Sequence, residues 1–119
     1  MINTFDKFNC IGITLYKWGN KRAELWFIRP GYVIAEHCHP KEDVELVYLF
    51  GSTVFYRRDL LVKDADVESA KPKFLSSFSV KHNHSHFFSV GLLPLVFVNF
   101  QTFLAGHKPV SASKDLTLT

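Results

Sequence analysis

The residues of this chain that are best suited to chemistry are its histidines, five of which fall in two short groups. The groups are His37 with His39, and His82 with His84 and His86. Side chains two residues apart on a β-strand share a face about 6.6–6.8 Å apart, so His37 and His39 could both turn onto one ion. Imidazole suits iron, zinc, copper, nickel and manganese, and a carboxylate would complete a facial site with open positions. The pattern therefore favours a transition-metal site.

Purely structural interpretations of these histidines stay open. His37 and His39 could be polar residues near a strand end that bind the backbone or water, and the later group could form a solvated loop. We expect one histidine of that later group to be a ligand. Strand parity directs Cys38 to the face opposite its neighbours, and His107 stands apart in the polar C-terminal segment.

The segments that must position these histidines resemble short β-strands. Alternating stretches rich in β-branched and aromatic residues cover 11–17, 23–29, 32–39, 45–50, 53–58, 74–80, 86–90 and 95–103, with a weaker candidate at 60–62. Turn residues such as Pro30-Gly31 separate them, and no segment keeps a 3.6-residue apolar period. We therefore predict an all-β fold with little or no helix: a sandwich, jelly roll or barrel.

Length and composition predict a single domain. The chain has 119 residues, of which 47% are hydrophobic, and we expect a barrel over residues 1–104 and a polar tail over 105–119. Two cysteines, Cys10 and Cys38, make no disulfide framework, which favours a reducing cytoplasm. Residues 1–7 lack the pattern of a signal peptide, and no run of about 18 apolar residues predicts a membrane helix.

Charge and motifs exclude several function classes. The net charge of +3 comes from short basic pieces that acids interrupt, so we expect no nucleic-acid partner and no membrane partner. The chain contains no phosphate-binding loop, dinucleotide fingerprint or G-x-S-x-G nucleophile motif.

The stretch from Gly31 to Gly51 resembles the first motif of the cupin superfamily. That motif is Gly, five residues, His-x-His, three or four residues, Glu, six residues and Gly. Here five residues separate Gly31 from His37, His39 and Gly51 have the usual separation, and an apolar strand at 46–50 precedes the closing glycine. The resemblance implies a single-domain jelly-roll β-barrel, a double-stranded β-helix, with a metal at its mouth.

The acidic ligand is where this chain departs from the motif. Strict spacing places the glutamate at Val44, whereas Glu45 lies one residue late and Glu42 and Asp43 lie one or two early. A one-residue slip sends a side chain to the other face of a strand. A bulge or longer turn after Pro40 would bring Glu45 inward, and on this ground we expect Glu45 as a ligand. The alternative is a site of three histidines without a carboxylate.

The second cupin motif is degenerate. Anchored on His86, its expected Gly, Pro, Gly and Asn positions hold Leu75, Lys81, Asn83 and Val90. Residues 86–98 nevertheless resemble the usual ending of the family. The resemblance, which spans residues 25–103, therefore implies His86 as the third histidine ligand, with His84 as the alternative.

The aromatic residues are expected to fill the barrel. The candidates are Phe27, Tyr48, Phe50, Phe55, Phe78, Phe87, Phe97 and Phe103. Most should pack in the core, and Phe27, Tyr48 and Phe97 are expected to wall a substrate pocket beside the metal. Further candidates for orienting a polar substrate are Arg29, Tyr56, Arg57, Asn99 and Gln101.

The resemblance implies a metal-dependent cupin enzyme that acts on a small polar or aromatic molecule. Its metal would be iron, manganese, nickel or zinc, and its reaction that of a dioxygenase, isomerase, lyase or decarboxylase. The alternatives are a non-catalytic cupin-like module for ligand binding or assembly, and a structural jelly roll with incidental histidines. We also expect a homodimer, because open sheet edges are usually paired and a strand at 11–16 could pair across a two-fold axis.

Overall fold

The computed structural model describes residues 2–6, 9–104 and 117–118, with side chains described over 9–104. Its strands, in chain order, are β1 (Ile2–Asp6), β2 (Cys10–Trp18), β3 (Lys21–Ile28), β4 (Val33–Cys38), β5 (Glu42–Phe50), β6 (Thr53–Asp59), β7 (Glu68–Ala70), β8 (Ser77–Val80), β9 (His84–Val90), β10 (Leu95–Phe103) and β11 (Thr117–Leu118). His107 and most of the predicted tail lie outside the described residues.

Two antiparallel sheets contain all of these strands. The six-stranded sheet has the order β1-β2-β3-β10-β5-β8, and the five-stranded sheet has the order β11-β4-β9-β6-β7. The described residues contain no helix, and therefore none that could cross a membrane. The predicted all-β jelly-roll class is confirmed.

Period-2 alternation explains which side chains enter the space between the sheets. On β10, the odd-numbered Leu95, Phe97, Gln101 and Phe103 are buried, while Phe100 is exposed. The same alternation buries the even-numbered side chains of β3 and those of β5 from Glu42 to Leu46, since β10 pairs with both strands.

Packed phenylalanines form the centre of the core. The Phe55 ring lies 5.4 Å from Phe88, 5.6 Å from Phe78 and 6.2 Å from Phe97, measured between centroids. Such aromatic pairs contribute about 0.5–1.5 kcal/mol beyond the area they bury. The expectation that aromatic residues fill the barrel therefore holds for these four rings and for Phe103.

Three of the expected core phenylalanines point outward instead. Phe27 is 42% exposed because its neighbours Trp26 and Ile28 take the inward positions of β3. Phe50 is 50% exposed at the end of β5, and Phe87 stacks on Tyr56 on the outer face of the five-stranded sheet. Strand parity decides the face at Phe27 and Phe87. At Phe50 a register shift in the pairing of β5 with β10 turns the side chain to the face of its partner Val96.

Several strand boundaries differ from those predicted. β5 begins at Glu42 rather than at residue 45, so the predicted polar break is shorter. The candidate strand at 60–62 is a turn, and the short strand of this region is β7. β1 pairs with residues 10–13 of β2. Over residues 11–13, which are half of the segment (11–16) expected to pair in a dimer, β2 is therefore not at the edge of the sheet.

The two glycines that delimit the first motif have positive φ. Gly31 has φ of 80° in the turn before β4, and Gly51 has φ of 116° in the turn between β5 and β6. A Cβ on Gly51 would collide with the Pro94 carbonyl oxygen and lie 2.7 Å from Leu95 Cα. Gly51 therefore permits both the turn and the close approach of the chain before β10.

We predict that Gly51→Ala destabilises the fold far more than Gly19→Ala does. Gly19 also has positive φ, but a Cβ there would meet nothing within 4 Å, so only the conformational cost of about 1 kcal/mol applies. At Gly51 the backbone clash adds to this cost, and the expected total exceeds about 3 kcal/mol. Urea denaturation measures both values, and equal destabilisation would contradict the assigned close approach.

Candidate metal centre

Three histidines from two distant parts of the sequence meet at one end of the space between the sheets. His37 lies on β4, His39 follows the end of β4, and His86 lies on β9 directly opposite His37. The rings of His37 and His86 are 4.2 Å apart between centroids, those of His37 and His39 5.0 Å, and those of His39 and His86 5.3 Å.

A bulge in β4 makes this convergence possible. Ile34 pairs with Phe88 and His37 pairs with His86, so β4 advances three residues where β9 advances two. The extra residue changes the parity of β4, and both Ile34 and His37 consequently face inward. Without the bulge, His37 would share the outward face of its strand.

The three imidazoles are close enough to hold one ion. One nitrogen from each ring lies within 4.8 Å of the others, and modest ring rotations would bring all three to the usual metal–nitrogen distance of about 2.0–2.1 Å. His37 and His86 are buried and His39 is half-buried. The cluster could therefore hold a metal ion.

Hydrogen bonding defines the tautomer of His37. Its Nδ1 lies 2.7 Å from the Ala35 carbonyl oxygen, which can only accept, so Nδ1 carries the proton and Nε2 keeps its lone pair. Burial lowers the pKa of His37 below 6.5, although this hydrogen bond opposes the shift. A neutral His37 with a free Nε2 is the form that binds metals.

His86 provides the clearest sign that the cluster fits a cation. Burial, reinforced by repulsion from His37 and His39, holds the pKa of His86 well below 6.5. Its Nδ1 is buried and has no hydrogen-bond partner within the described part of the chain. A buried nitrogen without a partner is costly, and a metal ion would satisfy its lone pair.

A chain of buried polar side chains extends from His39 into the barrel. Oε1 of Glu42 lies 3.5 Å from His39 Nδ1 and accepts a hydrogen bond of 2.9 Å from Gln101. The Gln101 oxygen accepts a hydrogen bond of 2.6 Å from Arg22, whose guanidinium lies 3.6 Å from Glu24. The acid beside the cluster is therefore Glu42, at the inward position that β5 parity gives it.

The structure does not bring Glu45 to the cluster. The pairing of β5 with β10 runs without interruption from Glu42 to Val47, so the bulge expected near Pro40 does not occur. Val44 and Leu46 therefore face the core, and Glu45 is exposed on the outer face of the sheet. This correction follows from the parity of an unbroken strand.

The other two histidines of the later group also stay outside the cluster. His84 lies at the rim, where its Nε2 is 3.9 Å from Asp59 and its Nδ1 accepts a hydrogen bond from the Lys81 amide. His82 contacts Asp43 at 3.0 Å on the surface. Of the three, the structure brings only His86 to His37 and His39.

A cavity of about 80 Å³ opens beside the three histidines. Apolar side chains from both sheets line it, among them Trp26, Ile34, Leu46, Phe88 and Phe97. Asn99 and Gln101 add polar groups, while no Asp, Glu, Lys or Arg appears in the described lining.

Only one of the three aromatic residues expected in the pocket is there. Phe97 lines the cavity, but Phe27 faces outward, and Tyr48 packs beside the core, where its hydroxyl donates to the Gly51 carbonyl. Arg57, an expected substrate contact, instead donates to Ser79 and Glu68.

Trp26 and Cys10 also line the cavity, although neither was expected there from the sequence. Trp26 could have been found by extending inward parity along β3. Cys10 lies before the predicted start of its strand, and no sequence signal indicated it.

Comparisons with known proteins establish the fold. No family profile and no curated protein sequence matches the chain. Among solved structures, it is similar to the capsular polysaccharide assembling protein CapF from Staphylococcus aureus, with a TM-score of 0.72 and 13% identity over 99% of this chain. It is also similar to an oxalate oxidase, with a TM-score of 0.68 and 13% identity over 87% of the chain. KdgF from Halomonas sp. has a TM-score of 0.69 and 10% identity over 89%.

The shares of those proteins that are covered differ widely. The chain spans 31% of CapF and 56% of the oxalate oxidase, but 88% of KdgF. A cupin domain from Schizosaccharomyces pombe Cnp3 is similar as well, with a TM-score of 0.66. At 10–13% identity, these similarities concern architecture and not activity. The chain therefore has the cupin fold, as its first motif predicted.

Proposed function

We propose that this chain is a metal-dependent small cupin enzyme that acts on a small polar or aromatic molecule. The observation that carries the proposal is the meeting of His37, His39 and His86 beside an apolar cavity. These three residues would hold the ion. Glu45, which lies on the outer face, is left out of the proposed ligand set.

The donor set suits iron, manganese, nickel or zinc, since imidazole binds each of them. A divalent ion bound there would supply Lewis-acid polarisation of a chelating substrate, at coordination positions that the three histidines leave open. Neutral histidine ligands would leave its full double charge available to the substrate. An anionic or readily deprotonated chelating group is therefore the best match for the site.

The chain's own residues would prepare the site in two ways. The Ala35 carbonyl holds the His37 proton on Nδ1, and Glu42, supported by Gln101, faces Nδ1 of His39. The apolar walls exclude bulk water and strengthen electrostatic interactions inside the cavity. The reaction would belong to the dioxygenase, isomerase, lyase or decarboxylase classes that the cupin resemblance implies.

The similar structures are compatible with an enzyme and with a non-catalytic module. One of them is an oxalate oxidase, whereas CapF is described as a capsular polysaccharide assembling protein. The second candidate function is a non-catalytic module for ligand binding or assembly, and a separate feature on the outer surface fits an assembly role.

That feature is an apolar outer face on the six-stranded sheet. Two rows of aligned side chains cross β2, β3, β10 and β5: Ile11, Phe27, Val96 and Phe50 in one, and Ile13, Leu25, Val98 and Val47 in the other. Phe27 and Phe50 are 42% and 50% exposed. Contiguous exposed apolar surface of this kind is typical of an interface.

We propose a second copy of this chain as the occupant of the apolar outer face. The two rows contain no charged residue, so a two-fold axis through them would bring no like charges together. A homodimer built in this way is compatible with either function, because the cavity opens between the sheets. The absence of nucleic-acid and membrane partners, the cytoplasmic location and the barrel-plus-tail division stay predictions from the sequence.

The metal assignment predicts how histidine substitutions change metal content. Protein purified without a histidine tag should contain about one transition-metal ion per chain, and His37→Ala or His86→Ala should lose it. His84→Ala should keep the metal, because His84 lies at the rim beside Asp59. Elemental analysis by mass spectrometry measures all four proteins. Metal retention by His86→Ala, or equal loss from His84→Ala, would contradict the assignment.

The position of Glu42 predicts its effect on metal affinity. Glu42→Gln removes the carboxylate charge that faces His39, and we expect metal affinity to fall about 10- to 100-fold, as for other partners of metal-bound histidines. Glu45→Gln is the matched control and should leave affinity unchanged. Competition with a chromophoric chelator measures both dissociation constants, and a larger loss in Glu45→Gln would reverse our placement of the acid.

The dimer proposal predicts a change in mass. Light scattering after size exclusion should show twice the 13.7 kDa of one chain for the wild type and a single chain for Phe27→Glu, which buries a charge at the two-fold interface. Phe74→Glu is the control, because Phe74 is 70% exposed but lies in the loop before β8. A monomeric wild type would rule out the dimer.

A further inference from the structure

Asn99 is a polar residue of the cavity that the proposed metal site does not use. It lies on the inward face of β10 between Phe97 and Gln101, opposite Glu24 of β3 and Leu46 of β5. Its side chain lines the cavity. Its Oδ1 is buried and has no hydrogen-bond partner among the residues that the structure describes.

The neighbouring amide of Gln101 differs from that of Asn99 in its hydrogen bonding. Both ends of the Gln101 amide are occupied, because its nitrogen donates to Glu42 and its oxygen accepts from Arg22. Gln101 therefore belongs to the buried polar chain that begins at His39. Asn99 shares the same strand face, but its buried Oδ1 makes no such connection and is left to accept a hydrogen bond from a molecule that enters the cavity.

A buried carbonyl oxygen without a partner lowers stability, and an apolar residue of similar size would avoid that cost. Polar groups of this kind inside mostly apolar cavities usually orient a ligand. The amide oxygen accepts hydrogen bonds, so the ligand should present an N–H or O–H group to it.

The cavity restricts the ligand further. Its lining contains no charged side chain in the described part of the chain, so the body of the ligand should be uncharged away from the metal. A volume of about 80 Å³ admits a molecule of only a few non-hydrogen atoms. The three neutral histidines would leave a divalent ion able to accept a bidentate oxygen chelator.

We propose that Asn99 selects the ligand of this site, which is a small bidentate oxygen chelator that donates a hydrogen bond to the Asn99 carboxamide. The inference rests on the proposed metal function and adds the class of ligand and the residue that recognises it. In this role Asn99 contacts the bound molecule and not the ion.

A pair of hydroxamates tests the proposal on the full-length protein loaded with cobalt(II). Acetohydroxamate and N-methylacetohydroxamate chelate through the same two oxygens, but only the first keeps an N–H group. Visible absorption of the cobalt ion reports binding. The wild type should bind acetohydroxamate about tenfold more tightly, the value of one added hydrogen bond. Asn99→Leu should bind both compounds with the weaker affinity.

The outcomes separate this inference from the proposed function. Failure of the wild type to take up cobalt would overturn both. Cobalt uptake with a preference for acetohydroxamate that persists in Asn99→Leu would overturn the role of Asn99 and leave the metal site standing. In that case the shape of the cavity would exclude the N-methyl group of the second compound. Cobalt uptake without binding of either compound would overturn the ligand class. Thermal unfolding checks that Asn99→Leu is folded, and Asn99→Ala replaces it if it is not.

Discussion

The bulge in β4 is the constraint on which the site depends. Between Ile34 and His37 the strand gains one residue relative to β9, and this single irregularity turns His37 from the outer face to the cavity. His86 needs no such device, because it already lies at an inward position of β9. The histidine cluster is therefore the product of one regular strand and one interrupted strand, paired at His37 and His86.

Burial of the imidazoles has an electrostatic consequence. Burial lowers the pKa of both His37 and His86, so the two rings stay neutral and keep lone pairs for a cation. The same burial would be unfavourable without compensation, and at His37 the structure provides part of it through the Ala35 carbonyl. The phenylalanine core packs across the two sheets, with Phe88 of β9 against Phe97 of β10, and so supports the strands that carry the cluster.

Local sequence patterns predict the fold of this chain better than they predict the details of its site. Turn residues and alternating stretches predict an all-β sandwich, jelly roll or barrel. The resemblance of the Gly31, His37, His39 and Gly51 spacing to the first cupin motif narrows this to the cupin jelly roll. The position of a bulge depends on pairing between distant strands, which a single sequence does not display. For this reason the bulge was expected after Pro40 and Glu45 was chosen, whereas the structure has it in β4 and places Glu42 beside His39. The expectation that Phe27 and Phe97 share one pocket fails for a different reason: the regular parity of β3 turns Trp26 inward and Phe27 outward.

Anomalous diffraction from crystals of protein purified without a histidine tag tests the central claim most directly. Data collected above and below the absorption edges of manganese, iron, nickel and zinc would locate and identify the ion. The account predicts one anomalous peak about 2.0–2.2 Å from a nitrogen of each of His37, His39 and His86. A peak beside His82 and Asp43 or beside His84 and Asp59, with none among the three buried histidines, would contradict it.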